Sequence, residues 1–199
     1  MVLDIWVKML TPPENREKKL MERFLRARRI AIVRKYITKQ SIVCDIGCGH
    51  EGYLLHSLSN NFAYGYGFDK EVVKSKVSNI KLINSDIEKQ INLASNTIDV
   101  IFMLAVIEHL DNAEKLIEEC CRMLKNGGKL VITTPTKSSK WLLELLAFKL
   151  KLLDAKNMAE HKHYFDRKEI TSLLAVNGFK NVSVKTFQLG LNMLIVAQK

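Results

Sequence analysis

Short apolar runs alternate with segments whose apolar positions recur every three or four residues, and this rhythm organises most of the chain. Ile42–Ile46, Ala63–Asp69, Ile80–Ile83, Ile98–Leu104 and Lys129–Thr134 read as strands. The largely apolar run 98–104 suits a parallel strand buried on both faces. Helical spacing marks residues 14–38, after Pro12 and Pro13, then Glu51–Ser59, Lys70–Val77 and Asn112–Leu124, the last stopped by Asn126, Gly127 and Gly128. Alternation of this kind predicts a doubly wound parallel α/β sheet with helices on both faces. The C-terminal pattern changes. Asp166 and Glu169 form a capping-box pair opening a helix through Val176. Two strand runs follow, Lys180–Gln188 and Leu191–Gln198, joined at Gln188, Leu189 and Gly190 as a tight hairpin. The sheet is therefore expected to be mostly parallel and to finish in an antiparallel pair.

At 199 residues the chain has room for one domain and a small appendage. The division expected is a basic helical segment at 1–40 and the sheet domain at 41–199, with a helical lid insertion near 137–165. Within that insertion, Trp141–Leu153 reads as a helix apolar on nearly every side, suited to the core, a dimer contact or the roof of a lipophilic pocket. It is too short to span a membrane and contains Glu144, Lys149 and Lys151. The first ten residues lack a basic leader region and a cleavage site, so a cytoplasmic protein is expected.

The formal net charge is +10, much of it between Arg16 and Lys39. Such a patch attracts phosphate-bearing partners such as RNA or an anionic lipid surface. An ordinary amphipathic helix accounts for it better, because Leu20, Phe24, Ala27, Ala31, Met21, Leu25 and Ile32 supply an apolar stripe opposite a solvated face. Nucleic acid is thus an open but unfavoured partner, as is a membrane surface. The sequence is silent on oligomeric state. Cys44, Cys48, Cys120 and Cys121 lack the spacing of a zinc site and read as buried free thiols.

Residues 43–52, Val-Cys-Asp-Ile-Gly-Cys-Gly-His-Glu-Gly, carry the most specific chemistry. A strand ends in Asp45, and a Gly47-x-Gly49 turn leads into a helix start. Glycine lets the backbone approach a ligand closely and adopt positive φ. Asp69 stands twenty residues beyond Gly49, at the end of the next strand, a spacing suited to an acid that accepts from ribose hydroxyls. Three of five strand ends carry an acid, and the turn has no lysine or arginine. A cationic amino group or sulfonium fits this surrounding better than a pyrophosphate does.

The segments "VCDIGCG", "YGYGFDK", "NSDIE", "NTIDVIFMLAVIEHL" and "CCRMLKNGGKLVITTP" occur in an order that resembles the class I S-adenosylmethionine-dependent methyltransferases, with a Rossmann-like fold, in their small-molecule branch. The likeness covers residues 40–136, and "HKHYFDRKEITSLLAVNGF" at 161–179 resembles that family's post-core element. It implies S-adenosylmethionine as cofactor. Gly47, Cys48 and Gly49 would pass beneath its methionine part, with Asp45 near the amino group. Asp69 would hold the ribose, with Lys70 at the adenine edge. Asp86 would accept from the adenine amino group beside Ile87, and Leu104 and Ala105 would line the methyl. Aspartates also serve as caps and turn formers, which is the competing account of Asp69 and Asp86. One departure stands out: the third glycine falls at Gly52 rather than at position 51, so the spacing also fits a dinucleotide-binding turn.

An oxygen nucleophile needs its proton removed, and His109, His161 and His163 are the candidates, from the end of strand four and from the segment following the insertion. His161 and His163 lie two apart, but the sequence offers no third metal ligand at a convincing spacing, so no metal is expected. His56 reads as a surface residue. The function implied is transfer of a methyl group to a small molecule, more readily at oxygen than nitrogen, with a sugar- or lipid-containing acceptor suited to the apolar lid and basic surface. The rivals are an RNA methyltransferase, a non-catalytic cofactor-binding partner subunit and, least suited, an NAD-dependent oxidoreductase.

Overall fold

The computed structural model describes residues 13–89, 91–139, 141 and 161–199. Helix α1 (Pro13–Val33) leads through a 3-10 turn, Arg34–Tyr36, into strand β1 (Ile42–Ile46). Then come α2 (Tyr53–Ser57), β2 (Tyr64–Asp69), β3 (Ile80–Asn84) and β4 (Ile98–Leu104), followed by α3 (Ala113–Met123), β5 (Leu124–Pro135), α4 (Arg167–Val176), β6 (Lys180–Phe187) and β7 (Asn192–Gln198). Seven strands form one sheet in the order β3-β2-β1-β4-β5-β7-β6. The first five pair in parallel, while β7 runs antiparallel to both β5 and β6. The mostly parallel sheet with a C-terminal antiparallel pair matches the expectation from the pattern.

Each central strand is buried on both faces, so alternate side chains feed two separate cores. Cys44, Ile46, Ile101, Met103, Leu130 and Ile132 join Leu116, Ile117 and Cys120 of α3 and Ile170 and Leu174 of α4. On the other face Val43, Val100, Phe102 and Val131 meet Val33 of α1 and Leu54 and Leu55 of α2. Sequence order reverses between β1 and β4, which are neighbours. Their carboxyl ends therefore flank the crevice where ligands bind in sheets of this kind.

Four local expectations need correction. Lys70–Val77 is not a helix. Its backbone finds other partners: Val73 N–H donates to the His50 carbonyl, and Val77 N–H to Ser75 Oγ. Helix α2 starts only at Tyr53, because Gly52 holds a left-handed φ of 56°. The chain leaves α3 at Met123 and enters β5 at once, with Asn126–Gly128 forming an irregularity inside that strand, where Gly127 has φ 80°. Leu20 and Phe24 of the expected inward stripe on α1 are 55% and 59% exposed, and Ala27 and Ala31 are exposed too. The helix instead turns Ile30 and Val33 towards the sheet.

Candidate active site

The β1–α2 turn is built on backbone hydrogen bonds to its neighbour. Gly47 and Cys48 N–H both donate to the Phe68 carbonyl, at 2.8 and 3.1 Å. Gly47 and Gly49 have φ of 72° and 71°, the region where a side chain would be strained. Their roles differ. A Cβ on Gly47 would run into Val106, so this glycine lets the segment after β4 pack against the turn. A Cβ on Gly49 would meet no atom within 4 Å and would project into open space.

Asp69 closes the turn from β2. Its Oδ2 accepts from Gly49 N–H at 2.8 Å and its Oδ1 from Lys70 N–H at 2.8 Å. Beneath it lies Asp45, 3% exposed. Burial, and then the Asp69 charge, push the Asp45 carboxyl up to about 8. A buried acid held short of ionisation would gain from a cationic ligand above it. Cys48 lines the turn, its thiol donating to the Gly49 carbonyl at 3.4 Å, and burial raises its pKa. Asp86 caps its own turn by accepting from Glu88 N–H at 3.3 Å and pairs with Lys89 at 3.5 Å. That hydrogen bond holds its carboxyl below the usual range. Ile87 packs on the core beside it. Asp45, Gly47, Cys48, Gly49, Asp69 and Lys70 are thus gathered at one strand-end crevice. The crevice pairs a cradle left open at Gly49 with buried acid, a fit to a ligand bearing a cationic amino group.

Strand β4 ends in a strained residue. Leu104 pairs with Thr133, and Ala105 takes φ 58° while its N–H donates to the Thr133 carbonyl at 2.8 Å. This bend sends the chain into the 3-10 turn Ile107–His109. Glu108 there is 1% exposed. Burial pushes its carboxyl up to about 7, against its own backbone N–H, the Thr134 hydroxyl and the Arg29 charge. Thr134 stands near the carboxyl without a well-formed hydrogen bond, and Glu108 Oε2 has no partner.

The segment after the insertion is tied over this turn. Lys162 and His163 N–H donate to the Glu108 carbonyl at 2.8 and 3.2 Å, and Lys162 pairs with Asp111 at 2.6 Å. His161 then packs edge-on against His109, ring centroids 4.7 Å apart, and its Nδ1 bonds Tyr164 Oη at 3.0 Å. Burial, with His109 and Arg29 adding to it, pulls His161 down to about 4, so it is neutral at pH 7. His163 faces away, against Phe165 at 4.3 Å and Glu169 at 3.9 Å. The fold thus joins His161 to His109 rather than to His163.

Glu108, His109 and His161 offer ligand atoms all within 4.8 Å of one another. Sequence spacing gave no third partner for a histidine pair; the third is Glu108, adjacent to His109 and brought to His161 by the fold. One carboxylate and two imidazoles can relay a proton or ligate a divalent ion. Arg29 was missed as well, being read as part of a solvated charge run. Its buried Nε lacks a hydrogen-bond partner. His56 is half-buried rather than superficial, bonding the Gly52 carbonyl and Ser75 Oγ at 3.0 and 2.9 Å. The apolar helix expected at Trp141–Leu153 lies outside the described residues except for Trp141, which is 67% exposed.

Residues 14–184 match the family model for a methyltransferase domain. The chain is 25% identical over 114 residues to the ubiquinone biosynthesis O-methyltransferase of Erwinia tasmaniensis, covering 52% of this chain and 46% of that one. It is 26% identical over 132 residues to the protein of the same name from Shewanella sp. ANA-3, covering 61% and 55%. The chain spans about half the length of these curated relatives. In structure it resembles a chain of the complex containing the Haloferax volcanii Trm112 methyltransferase activator, with a TM-score of 0.73, 14% identity and coverage of 92% and 93%. It also resembles an S-adenosylmethionine-dependent methyltransferase from Mesorhizobium loti, with a TM-score of 0.64, 14% identity and coverage of 85% and 96%.

Proposed function

The chain belongs to the class I S-adenosylmethionine-dependent methyltransferases, and we propose that it methylates an oxygen of a small molecule, with Glu108 and His161 handling the acceptor's proton. The observation that carries this is the grouping of Glu108, His109 and His161 within 4.8 Å, beside the turn that Val106 joins to Gly47. When bound, the cofactor supplies a sulfonium methyl open to in-line attack. Asp45 would hold its amino group, Asp69 and Lys70 its ribose and adenine side, with Asp86 and Ile87 at the base. Leu104 and Ala105 would face the methyl.

His161, neutral at pH 7, and Glu108, poised near 7, are both able to take a proton from a hydroxyl. The segment 161–165, tied to the Glu108 carbonyl, shields that transfer from water. Oxygen is favoured over a base nitrogen because the turn after β4 presents acid and imidazole. The cytoplasm suits a chain whose Cys44, Cys48, Cys120 and Cys121 are all free thiols. No helix among the described residues is long and apolar enough to cross a membrane.

The test is transfer of labelled methyl to fractionated metabolites, RNA and protein, with Glu108→Gln and His161→Ala beside the parent. Label in small molecules, cut about 100-fold or more by either variant, supports the reading. Label only in RNA or protein overturns it. The same three side chains also favour a second reading, in which a divalent cation holds the acceptor oxygen. Chelation followed by magnesium, manganese or zinc separates the two: recovery with one metal points to the cation, and indifference to the base.

A further inference from the structure

Three buried polar atoms from three elements stand without partners: Arg29 Nε on α1, Glu108 Oε2 after β4 and Thr134 Oγ1 on β5. They belong to one neighbourhood. Thr134 follows Thr133, which pairs with Leu104 and whose carbonyl accepts from Ala105 N–H three residues before Glu108. The Arg29 charge acts on both the Glu108 carboxyl and His161. Leaving one such atom unpaired is costly, and more so when its group is charged. A structural ion pair would close Arg29 onto Glu108, yet neither of these atoms bonds the other or anything else. An arginine whose Nε–H is free keeps one edge of its planar fork available, and that edge matches two oxygens of an oxyanion.

We propose that Arg29, Glu108 and Thr134 form the acceptor's binding subsite, and that the acceptor carries an oxyanion, carboxylate or phosphate, beside its hydroxyl. This rests on the methyl-transfer reading above and names its substrate class. Arg29 would clamp the oxyanion through Nε and the neighbouring nitrogen. Glu108 Oε2 would accept from the hydroxyl, and Thr134 would satisfy a remaining oxygen. Helix α1 thereby sets specificity. Cofactor binding is assigned to the glycine turn, against which Val106 packs at Gly47.

The experiment uses the full chain saturated with S-adenosylhomocysteine. Hydroxylated carboxylates are compared with their primary amides, and hydroxylated phosphate monoesters with the parent alcohols, by thermal shift and then calorimetry. The parent protein should bind charged members at least about 10-fold more tightly than their neutral counterparts in one of the two arms, which identifies the oxyanion. Arg29→Met should reduce that preference to about twofold or less, and Arg29→Lys, which keeps charge but not the fork, should fall between. Unchanged homocysteine-cofactor affinity in both variants shows that they fold; if Arg29→Met does not, Arg29→Lys alone decides. No preference for any charged member, or a preference that survives Arg29 replacement, overturns the proposal. Methylation of neutral hydroxyls alone would overturn it while leaving O-methylation standing. Arg29-dependent binding with no methyl transfer to oxygen would instead defeat the methyl-transfer reading.

Discussion

Cofactor affinity should rise steeply with pH because of Asp45. With its carboxyl at about 8 in the free protein, only about one molecule in eleven is ionised at pH 7 and one in a hundred at pH 6. A cationic amino group selects the ionised form, so the apparent dissociation constant is the intrinsic one divided by that fraction. Binding should therefore weaken about tenfold from pH 7 to pH 6, and release nearly one proton per cofactor at pH 7. The sign for stability is opposite. A carboxyl raised from its ordinary 3.8 stabilises the free fold fully below about pH 4, and that contribution is lost as pH rises through 8. Asp45→Asn should consequently stabilise the free protein at pH 7 by up to about 4 kcal/mol while weakening cofactor binding. Calorimetry with S-adenosylhomocysteine at pH 6, 7 and 7.5, in buffers of differing ionisation heat, measures affinity and proton release together. A flat affinity in the parent protein, or an equal slope in Asp45→Asn, would refute the reasoning.

The two glycines of the turn should fail differently. Gly49→Ala is expected to cost about 1–2 kcal/mol of stability from its left-handed backbone and to abolish tight cofactor binding, as its methyl enters the open cradle. Gly47→Ala should destabilise more, because Val106 must also move, and chemical denaturation beside calorimetry separates the two effects. Ala105→Gly relieves a positive φ and should add about 1 kcal/mol to the unfolding free energy in a urea titration. Asp166→Ala removes the reciprocal cap of α4 and should lower the melting temperature by about 2–4 °C. Glu169 N–H holds the Asp166 carboxyl below its ordinary range, so the deficit should be full at neutral pH and vanish as pH falls through the folded pKa.

Legibility in the sequence tracked the range of the interaction. Strands β1, β4 and the β6–β7 pair were readable because burial on one or both faces dictates each residue locally. The glycine turn was readable because Gly47 and Gly49 must take positive φ whatever surrounds them. The Asp166–Glu169 cap lies within a single turn of helix. Lys70–Val77 misled for the converse reason. Its carbonyl and N–H partners are His50 and a serine hydroxyl, and helical spacing gives no sign of the competition. Arg29 was least legible. Helical periodicity set Leu20, Phe24 and Ala27 inward and left the arginines to solvent, yet the fold buries the Arg29 Nε and exposes those apolar residues. What lies opposite Arg29 is Glu108, 79 positions away, and no pattern within α1 encodes it. A chain selected for stability alone would close that pair or replace it with apolar groups, since a buried charge left short of hydrogen bonds weakens the fold. Two groups kept buried and unclosed are what the proposed subsite requires, with the acceptor completing them.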